Sequence, residues 1–208
     1  MNGMTETPDY FFNSTFKQDL EWRGKSHIRL GSVLPNNKDQ ISRSLRDLSA
    51  ESIRNRFLGS KKEFSPAELE YLSNLDGTSH YAIGIEEREK PFRGIAIARM
   101  VRSASESSEA EIAITIIDEY QGIGLGTLLI RIMVLAAAER SISRLCFTFL
   151  PQNEGIIKLI NKIGSVTKAS KSMDYVEYSI DLKRVNLSEI KSQLQPFLPS
   201  IDTFHSKI

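Results

Sequence analysis

The sequence predicts a mixed α/β fold, α+β in character: a mostly antiparallel central sheet of about six or seven strands, flanked by helices. Three observations carry this. Strand patterns at 81–86, 94–101 and 110–117 follow one another with no helix between them, which calls for antiparallel neighbours. A strand–helix–strand run then spans 110–150, a unit that sets two strands parallel. Several helical patterns fill the stretch from 41 to 76 and cover what would otherwise be an open sheet face.

Residues 1–25 are polar with aromatic punctuation at Tyr10, Phe11, Phe12, Phe16 and Trp22, and read as an arm that packs on the domain or on a partner through its rings. A short first strand is expected at His27–Leu30. Ile41, Leu45 and Leu48 fall at helical spacing, and Ser49 is placed to cap a second helix that ends near Gly59. The next helix carries Ser65 as N-cap, Pro66 at its first position and Glu68 to close a capping box. Phe64 and Leu69 stand at staple positions, Leu69, Leu72 and Leu75 form the inner face, and Gly77 is the expected stop. Strands at 81–86 and 94–101 are joined by a charged hairpin containing Pro91. Leu125 to Arg140 is apolar enough to be a largely covered helix, and Arg144 to Leu150 a strand. Glu154 to Ile163 is a helix between Asn153 and Gly164. In Tyr175–Leu182, Val176, Tyr178, Ile180 and Leu182 alternate with more polar residues, as in a half-buried strand. Leu187, Ile190 and Leu194 suggest a short amphipathic helix before Pro196. The expected organisation is an arm over 1–25, one domain over 26–183 and a tail over 184–208. Arm and tail could each cover a second copy, so a homodimer is possible.

Composition narrows the function. With 27 Lys plus Arg against 26 Asp plus Glu, the net charge of +1 gives no electrostatic case for nucleic acid. No run of 18 apolar residues exists, so no membrane-spanning helix is expected, and Met1 to Asp9 lacks the pattern of a secretory leader. Cytoplasmic residence follows as the default. The single cysteine, Cys146, cannot form an intramolecular disulfide, and its apolar strand neighbours suggest a buried small residue rather than a nucleophile. His27, His80 and His205 show no ligand spacing, so no metal is expected. Arg54, Arg56, Lys61 and Lys62 read as a solvated basic face.

The most informative stretch is 109–126. A strand carrying Glu109 and Glu111 runs into a turn and then a glycine-rich loop that opens a long helix. Such a loop offers backbone N–H groups and the positive end of a helix dipole to an anion. Gly122, Gly124 and Gly126 alternate, which is neither the dinucleotide fingerprint nor a P-loop. Taken alone, the six residues fit either an anion cradle or a strand-to-helix turn whose glycines serve geometry. A phosphate cradle beside a carboxylate suggests a transferase with a phosphate-bearing donor.

Gln121-Gly122-Ile123-Gly124-Leu125-Gly126 follows the Gln/Arg-x-x-Gly-x-Gly/Ala pattern and resembles motif A of the GCN5-related N-acetyltransferases, the GNAT superfamily. The resemblance covers roughly 27–182. Within it, Leu48-Ser49-Ala50-Glu51-Ser52, followed by Arg56-Phe57, Lys61-Lys62 and Leu72-Ser73, is similar to the catalytic domain of Pat-type protein lysine acetyltransferases, as is Asn153-Glu154-Gly155-Ile156-Ile157.

The resemblance implies a mechanism and a set of residues. The donor would be acetyl-CoA, its pyrophosphate held by Gln121 and the backbone of Gly122, Ile123, Gly124, Leu125, Gly126 and Thr127. The acceptor would be an amine, of a protein lysine or a small molecule, that attacks the thioester directly. A protonated amine must first lose a proton. Glu111, ten residues before Gln121, is the expected general base, with Glu109 on the same face as second candidate. A backbone N–H around Ile114, Ile116 and Ile117, freed by a bulge, would polarise the thioester oxygen. Asn153 resembles the family's coenzyme-contacting asparagine and is also a competent N-cap. The tyrosine that many members carry seven residues later is Ile160 here. The rival reading is a catalytically silent acyl-CoA-binding domain of the same fold. The basic residues at 54–62 border the family's acceptor site and could meet an acidic protein surface.

Overall fold

The structure is a computed structural model that describes residues 9–22, 26–89, 93–104, 107–172 and 174–208. The strands are β1 (Lys17–Trp22), β2 (Ser26–Ser32), β3 (His80–Glu87), β4 (Gly94–Arg102), β5 (Glu109–Ile116), β6 (Arg144–Phe149), β7 (Val166–Lys171) and β8 (Val176–Asp181). The helices are α1 (Lys38–Ser44), α2 (Ala50–Phe57), α3 (Pro66–Ser73), α4 (Leu125–Glu139), α5 (Glu154–Ile160) and α6 (Leu187–Leu194). One sheet holds all eight strands in the order β1-β2-β3-β4-β5-β6-β8-β7, antiparallel throughout except for β5 with β6. The expected mixed sheet is present, with β1 and β7 added at its two edges. The Pro91 hairpin lies outside the described residues.

Register divides the sheet into two faces with different work. On one face Leu30, Ile85, Ala96 and Ile116 form a cross-strand row, with Ile83, Ala98 and Ile114 beside it and Tyr81, Met100 and Ile112 next. This apolar face packs against α4, which is buried along nearly its whole length between the sheet, α5 and α6. That explains why α4 is apolar all round. The opposite face carries Gly31, Gly84, Ile97 and Thr115 in one row, Ala82, Arg99 and Ala113 in the next, then His80, Val101 and Glu111. It is covered by α1, α2 and α3. Glu111 therefore looks away from α4.

Local signals account for the helix starts. Ser49 Oγ accepts from Ser52 N at 3.1 Å, and the Ser65–Glu68 capping box is formed in both directions. The end of α3 falls earlier than Gly77. Asp76 Oδ1 accepts the N–H groups of Thr78, Ser79 and His80 at 2.7–2.8 Å, so a carboxylate turn competes with another helical turn. Phe64 places its ring 5.7 Å from that of Phe57 and so helps join α2 to α3. α5 stops at Ile160, with Gly164 at φ 81° in the turn that follows.

The N-terminal segment is built in. Phe12 is fully buried, and Glu139, at the end of α4, accepts the N–H groups of Phe11 at 2.9 Å and Phe12 at 3.1 Å. Arg140 donates to Phe12 O and Gly77 O, pairs with Glu139 at 2.6 Å, and lies between the rings of Tyr10 and Tyr81. α6 lays Ile190 and Leu194 onto α4. Among the described residues no helix is long and apolar enough to cross a membrane.

Candidate active site

β5 and β6 pair only over Glu109–Glu111 against Arg144–Cys146 and then part. The N–H of Ile117 donates to Ile95 O on the β4 side, while Arg144 N donates to Ser108 O on the β6 side. By strand alternation, the amides of Ile114 and Ile116 point into the opening between β5 and β6. The opening arises without the expected bulge: β4 and β5 stay in continuous register from Ala96–Ile116 to Arg102–Ala110. Ile117 is not part of it, since its N–H is used within the sheet and its side chain is turned to the other face.

The opening widens into a cleft of about 830 Å³ that runs to the start of α4. Gly122 and Gly124 have φ of 75° and 98°, which side chains with a Cβ rarely adopt. Gly126 serves close packing: a Cβ there would stand 3.3 Å from both Ile116 Cδ1 and Leu159 Cδ2. Gly124 is the N-cap, and the helix has neither a side-chain cap nor an acid in its first turn. The first-turn N–H groups of Leu125, Gly126 and Thr127 are thus offered to an anion. The side chain of Leu125 is buried beneath them, and Ile123 contributes its carbonyl to Trp22 Nε1 at 3.1 Å. Gln121 acts as a brace, donating from Nε2 to Ile116 O and Ser52 Oγ, both at 3.0 Å. Asn153 lines the cleft while its Oδ1 caps α5 through Ile156 N at 3.3 Å, so the expected N-cap is formed.

Several lining residues escape sequence reasoning. Lys162 Nζ donates to Thr127 Oγ1 at 3.1 Å, and Lys158 and Arg131 stand in the same wall. Arg131 Nε is buried with no hydrogen-bond partner, and burial pulls its pKa down. Three cations around an open helix N-terminus suit a ligand with several phosphates. Trp22 and Phe197, with rings 5.1 Å apart, close that end. Only the i, i+4 spacing of Thr127 with Arg131, and of Lys158 with Lys162, hinted at this set. Asp118 was also missed: its carboxylate accepts Ser49 N, Ser49 Oγ and Ser52 Oγ at 2.7–3.0 Å, fixing α2 against the loop. Those bonds hold the Asp118 pKa down against the opposing effect of burial.

At the inner end, Glu111 lines the cleft and is exposed to it. Glu109 is not in the cleft wall; Arg144 engages it at 3.3 Å, where the strands still pair. Cys146 is half-buried rather than buried as expected, desolvation holding its thiol up, and Ile160 is fully buried. Among the described residues no tyrosine, histidine or cysteine lines the cleft, whereas Ser52, Thr115 and Thr148 do. Of the basic group at 54–62, Arg54 and Lys62 are exposed and Lys61 pairs with Glu68, but Arg56 turns inward. Desolvation pulls the Arg56 pKa down, opposed by the charge of Glu111.

Residues 41–166 match the sequence model of the acetyltransferase (GNAT) domain. The acetyltransferase Pat of Mycolicibacterium smegmatis is 30% identical over 138 residues, 66% of this chain and 40% of that protein, so the match spans well under half of the relative's length. The GNAT domain of S. lividans PAT superposes with a TM-score of 0.71 at 21% identity, over 79% of this chain and 96% of that one. The spermidine N-acetyltransferase from Vibrio cholerae, solved with CoA and spermine, superposes with a TM-score of 0.60 at 16% identity, over 76% of this chain and 96% of the other.

Proposed function

The chain belongs to the GNAT acetyltransferase family, and on that premise we propose that it transfers an acetyl group from acetyl-CoA to an amine, with Glu111 as general base. The observation that supports this best is the joint placement of two features on one cleft. The open N-terminus of α4 with its glycine loop stands on one side of the sheet, and Glu111 faces the other, with the β5–β6 opening between them.

The residues fit the donor. The first-turn amides of α4, with Arg131, Lys158 and Lys162, would hold its phosphates, and Trp22 and Phe197 would flank that end. Bound acetyl-CoA supplies an acyl carbon activated as a thioester. The amides of Ile114 and Ile116, which face the β5–β6 opening, would stabilise the developing oxyanion. Glu111, directly or through water, takes the proton that the acceptor ammonium must lose, and its charge also draws the cationic amine inward. Solvent, or a hydroxyl among Ser52, Thr115 and Thr148, is left to protonate the departing thiolate. The resemblance to Pat-type enzymes favours a protein lysine as the acceptor, with a small amine as the alternative.

Glu111→Gln keeps the shape and removes the base. Turnover with an excess of acceptor should fall about 10²–10⁴-fold while acetyl-CoA affinity stays within about twofold. Undiminished turnover would remove Glu111 from the mechanism; a parallel loss of affinity would show that it holds the donor instead.

A further inference from the structure

We propose that Arg56 and Arg99 form an anion-receiving pair at the acceptor end of the cleft, so that the acceptor carries a carboxylate beside its reacting amine. The inference rests on the transfer reading above and concerns what stands next to the amine.

A second cavity of about 540 Å³ lies between α1–α3 and the sheet face that carries Glu111. Arg56, Phe57, Ala113 and Thr115 line both this cavity and the donor cleft, so the two meet there. Arg99 enters the cavity from β4. It is directly opposite Ala113, whose small side chain leaves the space above β5 open, and Glu111 lies two residues along the same face. Sheet geometry sets such diagonal neighbours about 7–8 Å apart.

The charges around this point do not balance. Arg99 is only 6% exposed. It donates to Leu72 O at 2.6 Å and meets the ring nitrogen of His80, a group that burial and the arginine's own charge keep neutral. Arg56 lies 5.1 Å over the Phe57 ring. Among the described residues no carboxylate comes within ion-pair distance of either guanidinium, whereas Arg29, Arg93, Arg140, Arg144 and Arg184 each have one. Arg56 lies within electrostatic reach of both Arg99 and Glu111. The like charges of buried Arg99 and half-buried, partly desolvated Arg56 repel, and the burial of Arg99 without a counter-ion adds to the penalty. A bound carboxylate offsets both, and two planar forks suit it well. Glu111 together with Arg56 and Arg99 is thus complementary to a molecule with an ammonium at one end and a carboxylate at the other. A free amino acid has that pattern, and so does a lysine next to an acidic residue in a protein.

The test compares kcat/KM within matched pairs of acceptors. One arm uses free amino acids with one to three carbons between amine and carboxylate, each against its carboxamide. The other uses lysine peptides with Glu or Gln beside the lysine. The wild-type protein should favour the carboxylate member by about tenfold or more in at least one arm, and that arm names the source. The preference should fall to about twofold or less in R56Q and be partly kept in R56K. R99Q should repeat the collapse where it folds; R56Q carries the test if it does not. Equal rates within every pair, or a preference untouched by R56Q, would overturn the assignment while leaving acetyl transfer intact. So would the absence of turnover with every pair in protein that binds acetyl-CoA. Failure to bind acetyl-CoA would sink the transfer reading itself and this assignment with it.

Discussion

Glu139→Ala should unfasten the N-terminal segment from the domain. Glu139 is 2% exposed, and its carboxylate makes three bonds: to Phe11 N at 2.9 Å, to Phe12 N at 3.1 Å and to Arg140 Nη1 at 2.6 Å. Its removal leaves two backbone donors without their acceptor and the 2%-exposed Arg140 without its counter-ion. Taking one partner from a buried pair destabilises by about 3–5 kcal/mol. For a chain of this size that corresponds to a fall in Tm of roughly 6–20 °C. Arg140 is held by carbonyls and two tyrosine rings as well, so the pair is coupled. The double variant E139A/R140M should be less destabilised than the sum of the single changes, by about 1–3 kcal/mol. Urea unfolding of all four proteins gives the cycle, with the slope expected to stay constant. A loss below about 1 kcal/mol in E139A, or strict additivity, would refute the clamp. The consequence reaches the site, because the same segment ends in Trp22, whose indole holds the carbonyl of Ile123 in the glycine loop.

Two further outcomes follow from single residues. Gly124 has φ 98°, so Gly124→Val strains the loop and crowds the N-terminal amides of α4; acetyl-CoA affinity by calorimetry should fall about tenfold or more, and a value within twofold of wild type would contradict the cradle. Burial, reinforced by the charge of Arg99, lowers the His80 pKa from 6.5 to about 4, so the unfolded chain binds a proton that the folded one refuses. Stability from this group is complete above pH 6.5 and is lost as pH falls toward 4, about 2 kcal/mol of it between pH 7 and 5. Urea midpoints at the two pH values should show that loss in the wild type and not in H80Q; an equal loss in both would discharge His80 from the effect.

What could be read from the sequence was local. The Ser65–Glu68 box, the Ser49 cap, the glycine loop before α4 and the acid in β5 all stand where short-range chemistry places them. The missing strands were the two edges. β1 reads Lys-Gln-Asp-Leu-Glu-Trp and β7 Val-Thr-Lys-Ala-Ser-Lys; each pairs on one side only and needs little apolar alternation. Asp76 ended α3 through a carboxylate turn that outcompeted the glycine stop. The inward-turned arginines were hidden for another reason. Arg56, Arg99 and Arg131 look like ordinary surface cations in sequence, and only long-range packing turns them inward. The expected bulge was unnecessary because β5 and β6 separate after three paired residues.

Calorimetric titration of the purified protein with acetyl-CoA, with NADH and ATP as controls, decides whether the glycine loop before α4 is a donor cradle. Micromolar binding of acetyl-CoA, about −8 kcal/mol, is expected, with no comparable binding of the other two. Absence of acetyl-CoA binding, or equal binding of all three, would mean that the glycines serve only the turn into α4, and the catalytic assignment of Glu111 would fall with the cradle.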